Sequence, residues 1–131
     1  MSVKAVSYEE LTPGYKFPPA SYELNASFVS KYLKAVDGVG VGFVPPLAIT
    51  ACAIATMTKS VPVPAGTMAI HASQDLEFFK PVPIGTTIEC HIGAAQKIAR
   101  GKMSMLVLAL EVFDKSKEKV QSGRATIVLP A

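Results

Sequence analysis

Residues equipped for chemistry are few in this chain, and they are scattered. It has two histidines, His71 and His91, and two cysteines, Cys52 and Cys90. A histidine works as a general acid or base when a partner orients it within hydrogen-bond reach of the reacting atom. His71 stands alone in an apolar, strand-like run, where an imidazole is ordinarily a satisfied core or interface group. His91 alternates to the polar face of its segment and reads as surface. The cysteines fall inside apolar patterns without CxxC spacing or a histidine at ligand spacing, so they read as small buried hydrophobes, with no disulfide and no metal site. Asp37 closes a short amphipathic pattern, where a carboxylate is ordinarily solvated or capping and catalysis is the alternative. Lys97, Arg100 and Lys102 gather at one hairpin signal, either as a solvated turn or as a cradle for an anionic ligand. Gly38, Gly40 and Gly42 form a GxGxG run that lacks a preceding strand and a following Lys-Ser/Thr. It therefore matches neither nucleotide fingerprint and reads as a tight connection able to approach something closely.

The rest of the composition narrows the classes. A chain of 131 residues, half of them hydrophobic, is one domain with a real core. Its formal net charge of +3 is spread thinly, with no basic run longer than two and no aromatic interleaving. Nucleic acid is therefore not the expected partner. No apolar leader opens the sequence and no segment is long enough to span a bilayer, so the expectation is a soluble protein of the reducing cytoplasm.

The elements that must position these residues centre on Pro46 to Thr58, thirteen residues without a charge. Proline suits the first helical turn, and a helix apolar or small all round is a buried one. Thr50, Thr56 and Thr58 on it are expected to return their hydroxyls to backbone carbonyls. Upstream, Tyr15 to Leu24 with Pro18-Pro19 reads as an extended edge segment. Asn25 then caps an amphipathic helix that carries Phe28, Val29, Tyr32, Leu33 and Val36 and stops at Gly38. Downstream, Thr67 to Phe79, Thr86 to Ile98, Lys102 to Phe113 and Lys119 to Leu129 read as four strands in a meander. A rigid Lys80 to Gly85 connection and turns at Arg100-Gly101 and Asp114 to Glu118 join them. A long curved antiparallel sheet wrapping one buried helix is an α+β hot dog fold, here a single domain over residues 1 to 131.

At this point the residues suggest a family. Gln74-Asp75-Leu76-Glu77-Phe78-Phe79-Lys80-Pro81-Val82-Pro83-Ile84-Gly85-Thr86-Thr87-Ile88 resembles the Phe, Pro-Val, Ile/Val-Gly, Asp/Thr-Thr segment of MaoC-like (R)-specific enoyl-thioester hydratases and dehydratases. Asn25 to Gly38 is similar to the family's helix ending in Tyr-Ala-x-x-x-Gly-Asp, and Pro45-Pro46-Leu47-Ala48 sits where those proteins enter the central helix. The resemblance covers roughly residues 12 to 129. It implies an acyl thioester of coenzyme A or acyl carrier protein as ligand, no further cofactor, and an acyl pocket reached past Gly40, Gly42, Pro46 and Leu47. Lys97, Arg100 and Lys102 would meet the phosphates, and a second hot dog chain, identical or paralogous, would pair through the sheet.

The family's chemistry needs an aspartate and a histidine, in Asp-x-Asn-Pro-x-His after the first helix, to activate water and to handle the α-proton. That motif is missing. Gly38 holds the aspartate's position with Asp37 one residue early, no Asn-Pro or histidine follows, and only six residues separate Gly38 from Pro45. The resemblance thus implies a degenerate member that binds or shapes the acyl pocket for a catalytic partner. One alternative is an active hydratase, dehydratase or thioesterase with relocated groups, for which Asp37 and His71 are the candidates. Pro45-Pro46 offers no polar group for a thioesterase. The other alternative is a scaffolding module that binds no thioester.

Overall fold

The computed structural model describes residues 6–40, 42–64 and 66–130. Val41, inside the glycine-rich connection, lies outside the described residues. The elements run β1 (Ala20–Leu24), α1 (Ala26–Val36), α2 (Pro46–Ser60), β2 (Ile70–Gln74), β3 (Glu77–Phe78), β4 (Thr86–Arg100), β5 (Met103–Phe113) and β6 (Lys119–Pro130). No helix among the described residues is long and apolar enough to cross a membrane.

Helix α1 begins where its cap chemistry places it. The Asn25 side-chain oxygen accepts the Phe28 N–H at 2.8 Å, which satisfies one of the free donors of the first turn. Its end differs from expectation. Asp37, not Gly38, takes the left-handed conformation, with φ of 54°. The Gly38 N–H then closes on the Leu33 carbonyl at 2.9 Å. Aspartate tolerates this region because its short polar side chain relieves the local cost. Asp37 is therefore the residue that terminates the helix.

Helix α2 runs with Pro46 in its first turn, as the sequence indicates. One face is buried against the sheet through Ala48, Ile49, Cys52, Ala53, Thr56 and Met57. The opposite flank is not wrapped. Leu47 is 57% exposed and Ala51 is exposed as well, so this largely apolar helix is covered on one face only among the described residues. The three threonines behave as expected: Thr50 Oγ1 donates to the Pro46 carbonyl (3.2 Å), Thr56 to Cys52 (2.8 Å) and Thr58 to Ile54 (2.9 Å).

All strands pair antiparallel in one sheet of order β1-β4-β5-β6-β2, with β3 also on β6. Strand β5 is central and alternates: Leu106, Leu108, Leu110 and Val112 are buried in the same core as Ile88, Cys90 and Ile92 of the neighbouring β4 and Ile127 and Leu129 of the neighbouring β6. Each such large side chain contributes about 1.5–3 kcal/mol of burial free energy. The β4–β5 hairpin closes at Arg100 and Met103 around Gly101, whose φ of 56° is the left-handed geometry that a two-residue turn requires.

The four-strand meander is corrected. Only β4, β5 and β6 follow one another, whereas β2 and β3 pair with β6 and lie on the far side of the sheet from β4. Alternation reveals the two faces of a strand but not its neighbours. The stiff Lys80-Pro81-Val82-Pro83 stretch carries the chain away from β3 before the turn at Pro83–Thr86 admits β4, so the two strands are not neighbours.

Where β2 gives way to β3, the backbone presses on β6. Asp75 donates its N–H to the Arg124 carbonyl (2.9 Å) and its carboxylate accepts the Arg124 N–H (2.8 Å). A Cβ on Gly123 would stand 2.2 Å from the Asp75 carbonyl oxygen. Because that oxygen belongs to backbone held on both sides, it has little room to yield. Gly123→Ala should lower the stability by about 1–3 kcal/mol, the usual cost of overpacking. Urea unfolding of variant and parent measures this, and an unchanged midpoint would mean that the crossing gives way freely.

Candidate functional site

The first turn of α2 is held from two directions. On one side, the glycine-rich connection leading into the helix is stitched to the Lys80–Gly85 segment. Phe43 forms a β-bridge with Pro83, and the Val44 N–H donates to the Val82 carbonyl at 2.8 Å. On the other side stands Gln121 of β6, only 3% exposed. Its Nε2 donates to the Pro46 carbonyl at 2.7 Å, and its Oε1, at 2.9 Å, shares with that carbonyl the single proton of the Thr50 hydroxyl. A buried amide left without partners costs about 1–3 kcal/mol, so this pair of bonds fixes both the side chain and the start of the helix.

Between these holds lies a cleft of about 320 Å³. Val44, Pro46, Ile49, Val82 and the rings of Phe78 and Phe79 supply most of its apolar wall, with Lys80, Pro81 and Gln121 completing it. An apolar groove with one oriented amide is the usual form of a small-ligand site. Among the described residues lining it, Lys80 alone is ionisable. Its ammonium is committed to Asp114 (2.6 Å) and Glu118 (3.3 Å). The hydrogen bond to Asp114 holds the Lys80 pKa above the ordinary lysine value, and the same bond holds the Asp114 carboxyl below the ordinary carboxylate value. Asp114 also gathers the Ser116 and Glu118 N–H groups, so the ion pair fastens the cleft wall to the β5–β6 turn. This arrangement can hold an apolar group, but it presents no base or acid to it.

The residues singled out from sequence do not converge. Pro46 lines the cleft and Leu47 lies beside it, exposed; Gly40 and Gly42 are exposed in the connection, Gly42 with φ of 88°. Asp37 faces a different, open hollow with Val29, Leu33 and Ile84, which contains neither histidine. His71 is exposed on β2 rather than buried in the core, since its strand lies at the end of the sheet, and its Nε2 meets Gln74 Oε1 at 3.1 Å. His91 is half-buried on the outer face, 2.6 Å from Glu89 and edge-on to Phe113. Cys52 and Cys90 are buried free thiols, pushed up to about 11 and about 12 by burial, hence protonated and poor nucleophiles at neutral pH.

The basic hairpin separates as well. Lys97 donates to the Tyr8 carbonyl at 2.7 Å, reaches those of Leu11 and Glu9, and sits over the Tyr8 ring. It is thereby committed to the chain's own early segment. Arg100 and Lys102 remain exposed at the hairpin tip. Val112 pairs with Gln121 and Met103 with Pro130, so the tip and the cleft lie toward opposite ends of β5, up to roughly 30 Å apart at strand rise.

Sequence reasoning missed Gln121, and no periodic signal marks it. The β5–β6 register shifts at Phe113, so that Val120 and Gln121 are both buried in succession. Phe78 and Phe79 lay within the Phe-Lys-Pro-Val-Pro-Ile-Gly segment already noted, without a role.

No family model matches the chain, and no curated protein matches it in sequence. Its similarity is to solved structures. The (R)-hydratase PhaJ1 of Pseudomonas aeruginosa superposes with a TM-score of 0.77 at 18% identity, over 96% of this chain and 86% of that one. A MaoC-like dehydratase of Rhodospirillum rubrum gives 0.75 at 16%, over 96% and 97%. The ChsH1–ChsH2 complex of Mycobacterium tuberculosis gives 0.71 at 12%, over 88% and 96%. At these identities the likeness establishes the architecture, and the chain has the hot dog fold expected from its sequence.

The ion pair on the cleft wall has a pH signature. Stability from the depressed Asp114 carboxyl is present above the ordinary carboxylate range and is lost as pH falls through its lowered pKa; that from Lys80 is present below the ordinary lysine range and lost as pH rises through its raised pKa. Asp114→Asn should therefore melt below the parent at pH 7, with the gap closing under about pH 4, the ordinary carboxylate range. Melting curves across pH check this, and a gap that persists at pH 2 would assign the effect to the turn instead.

Proposed function

We propose that this chain is a MaoC-like hot dog domain that binds an acyl thioester of coenzyme A or acyl carrier protein and serves as a non-catalytic subunit or half-site of a hydratase or dehydratase. The observation that carries the reading is the apolar cleft at the start of α2, formed without a carboxylate or histidine in its described lining. Support comes from the kinship in architecture with an (R)-hydratase and a MaoC-like dehydratase. The sequence adds the missing Asp-x-Asn-Pro-x-His.

In this reading the acyl chain lies along Ile49, Phe78 and Phe79, and the thioester carbonyl meets the positive end of α2. Pro46 has no N–H and the Ala48 N–H is turned to Pro45, so the first-turn amide of Leu47 is the donor that polarises the carbonyl. The Asp/His pair comes from a partner chain. Pairing is favoured at β2, an end strand of the sheet, whose first residue Ile70 is 46% exposed and before which Met68 is 74% exposed. A two-chain assembly is named for one structural neighbour, the ChsH1–ChsH2 complex. Phosphate contacts from Arg100 and Lys102 would then be made to the partner's ligand, since their own cleft lies toward the other end of β5.

Heating with and without butyryl-coenzyme A tests binding. A ligand held by the native state alone, at a hundred times its Kd, stabilises by about 2.7 kcal/mol, and the melting temperature should rise accordingly. No shift at millimolar ligand would favour a scaffold without thioester. The isolated chain should leave crotonyl-coenzyme A unhydrated; hydration abolished by His71→Ala would make it an enzyme in its own right.

A further inference from the structure

Gln121 lines two cavities at once. One is the cleft at the start of α2; the other is a cavity of about 10 Å³ between α2 and the sheet, bounded by Thr50, Ala53, Leu76, Leu110 and Val112. Both its amide groups are in use, Nε2 on the Pro46 carbonyl and Oε1 on the Thr50 hydroxyl, so the side chain is pinned where both cavities border the residue. On the inner side of the smaller cavity Ala53, Leu110 and Val112 are each at most 3% exposed, while Leu76, Ser122 and Gly123 border its outer side.

We propose that Gln121 is the residue that sets acyl length, ending the cleft with a fixed amide and closing off the apolar space beneath α2. This rests on the thioester-binding reading above. A short acyl chain stops against Ile49 and the ring of Phe78. A longer one would have to displace the amide, breaking its bonds to Pro46 and Thr50 and leaving buried polar groups unpaired. The same cleft therefore accepts butyryl and rejects octanoyl esters for a polar reason as well as a steric one. Removing the side chain beyond Cβ joins the two spaces and leaves room for further methylenes, each worth about a fourfold gain in affinity when buried.

Titration of the full chain, as parent, Gln121→Ala and Gln121→Leu, with butyryl-, hexanoyl- and octanoyl-coenzyme A reads the effect. Gln121→Ala should shift the octanoyl-to-butyryl affinity ratio at least tenfold toward octanoyl. Gln121→Leu, which fills the passage without an amide, should shift it less. An unchanged ratio in Gln121→Ala overturns the assignment. Xenon, followed through the methyl resonances of Leu110 and Val112, gives a readout that needs no thioester and also reports whether the variant is folded. It should perturb them saturably in Gln121→Ala and leave the parent unaffected. If no ester binds the parent, the thioester reading and the acyl role fall together, while xenon uptake confined to the variant still upholds Gln121 as the barrier. Xenon uptake absent from the variant, or equal in parent and variant, overturns the barrier itself.

Discussion

Burial of one face of α2 against β4, β5 and β6 is the constraint from which the rest of this structure follows. Ala48, Cys52 and Ala53 are small, so the helix can come close to the sheet, and Leu106, Leu108, Leu110 and Val112 rise to meet it. The small hydrogen-bonded polar groups on that face complete the contact. Thr56 bonds both the Cys52 carbonyl and the Tyr22 hydroxyl of β1, the latter at 2.8 Å, so even the edge strand is referred to the helix. Satisfied buried polar groups of this kind rigidify a core and select one arrangement of it.

The start of the helix inherits that rigidity and turns it into a site. Gln121 and the Val44–Val82 bond hold the first turn from opposite sides, and the Lys80 ion pair fastens the neighbouring wall. The connection from α1 is short, with six residues between Gly38 and Pro45. The result is an apolar groove bordered by the start of α2 and by a buried amide. The groups that could move protons are elsewhere: Asp37 ends α1, His71 is on the far strand, and His91 faces outward beside Glu89.

The uncovered surfaces tell the same story from outside. Leu47 and Ala51 on the flank of α2 and Met68 and Ile70 at the sheet's end leave apolar area that the chain does not cover with its own residues. A largely apolar helix covered on one face leaves apolar surface exposed on the other.

Much of the fold was legible from local pattern. The uncharged run after Pro46, the Asn25 cap, the alternation of Ile88, Cys90 and Ile92, and the Arg100-Gly101 turn each carry their structure in nearest-neighbour physics, because period, capping and turn geometry are properties of short segments. The sequence by itself also contains no Asp-x-Asn-Pro-x-His string and sets only six residues between Gly38 and Pro45. Only the tertiary structure decided which strands are neighbours, that one flank of α2 stays bare, and that Lys97 answers to the carbonyls of Tyr8 and Leu11. It alone found Gln121, whose place depends on a register shift opposite Phe113 and on the distance between β6 and the first turn of α2. The first depends on how a neighbouring strand closes its register and the second joins residues 75 apart in sequence, and a pattern read along the chain holds no information about either.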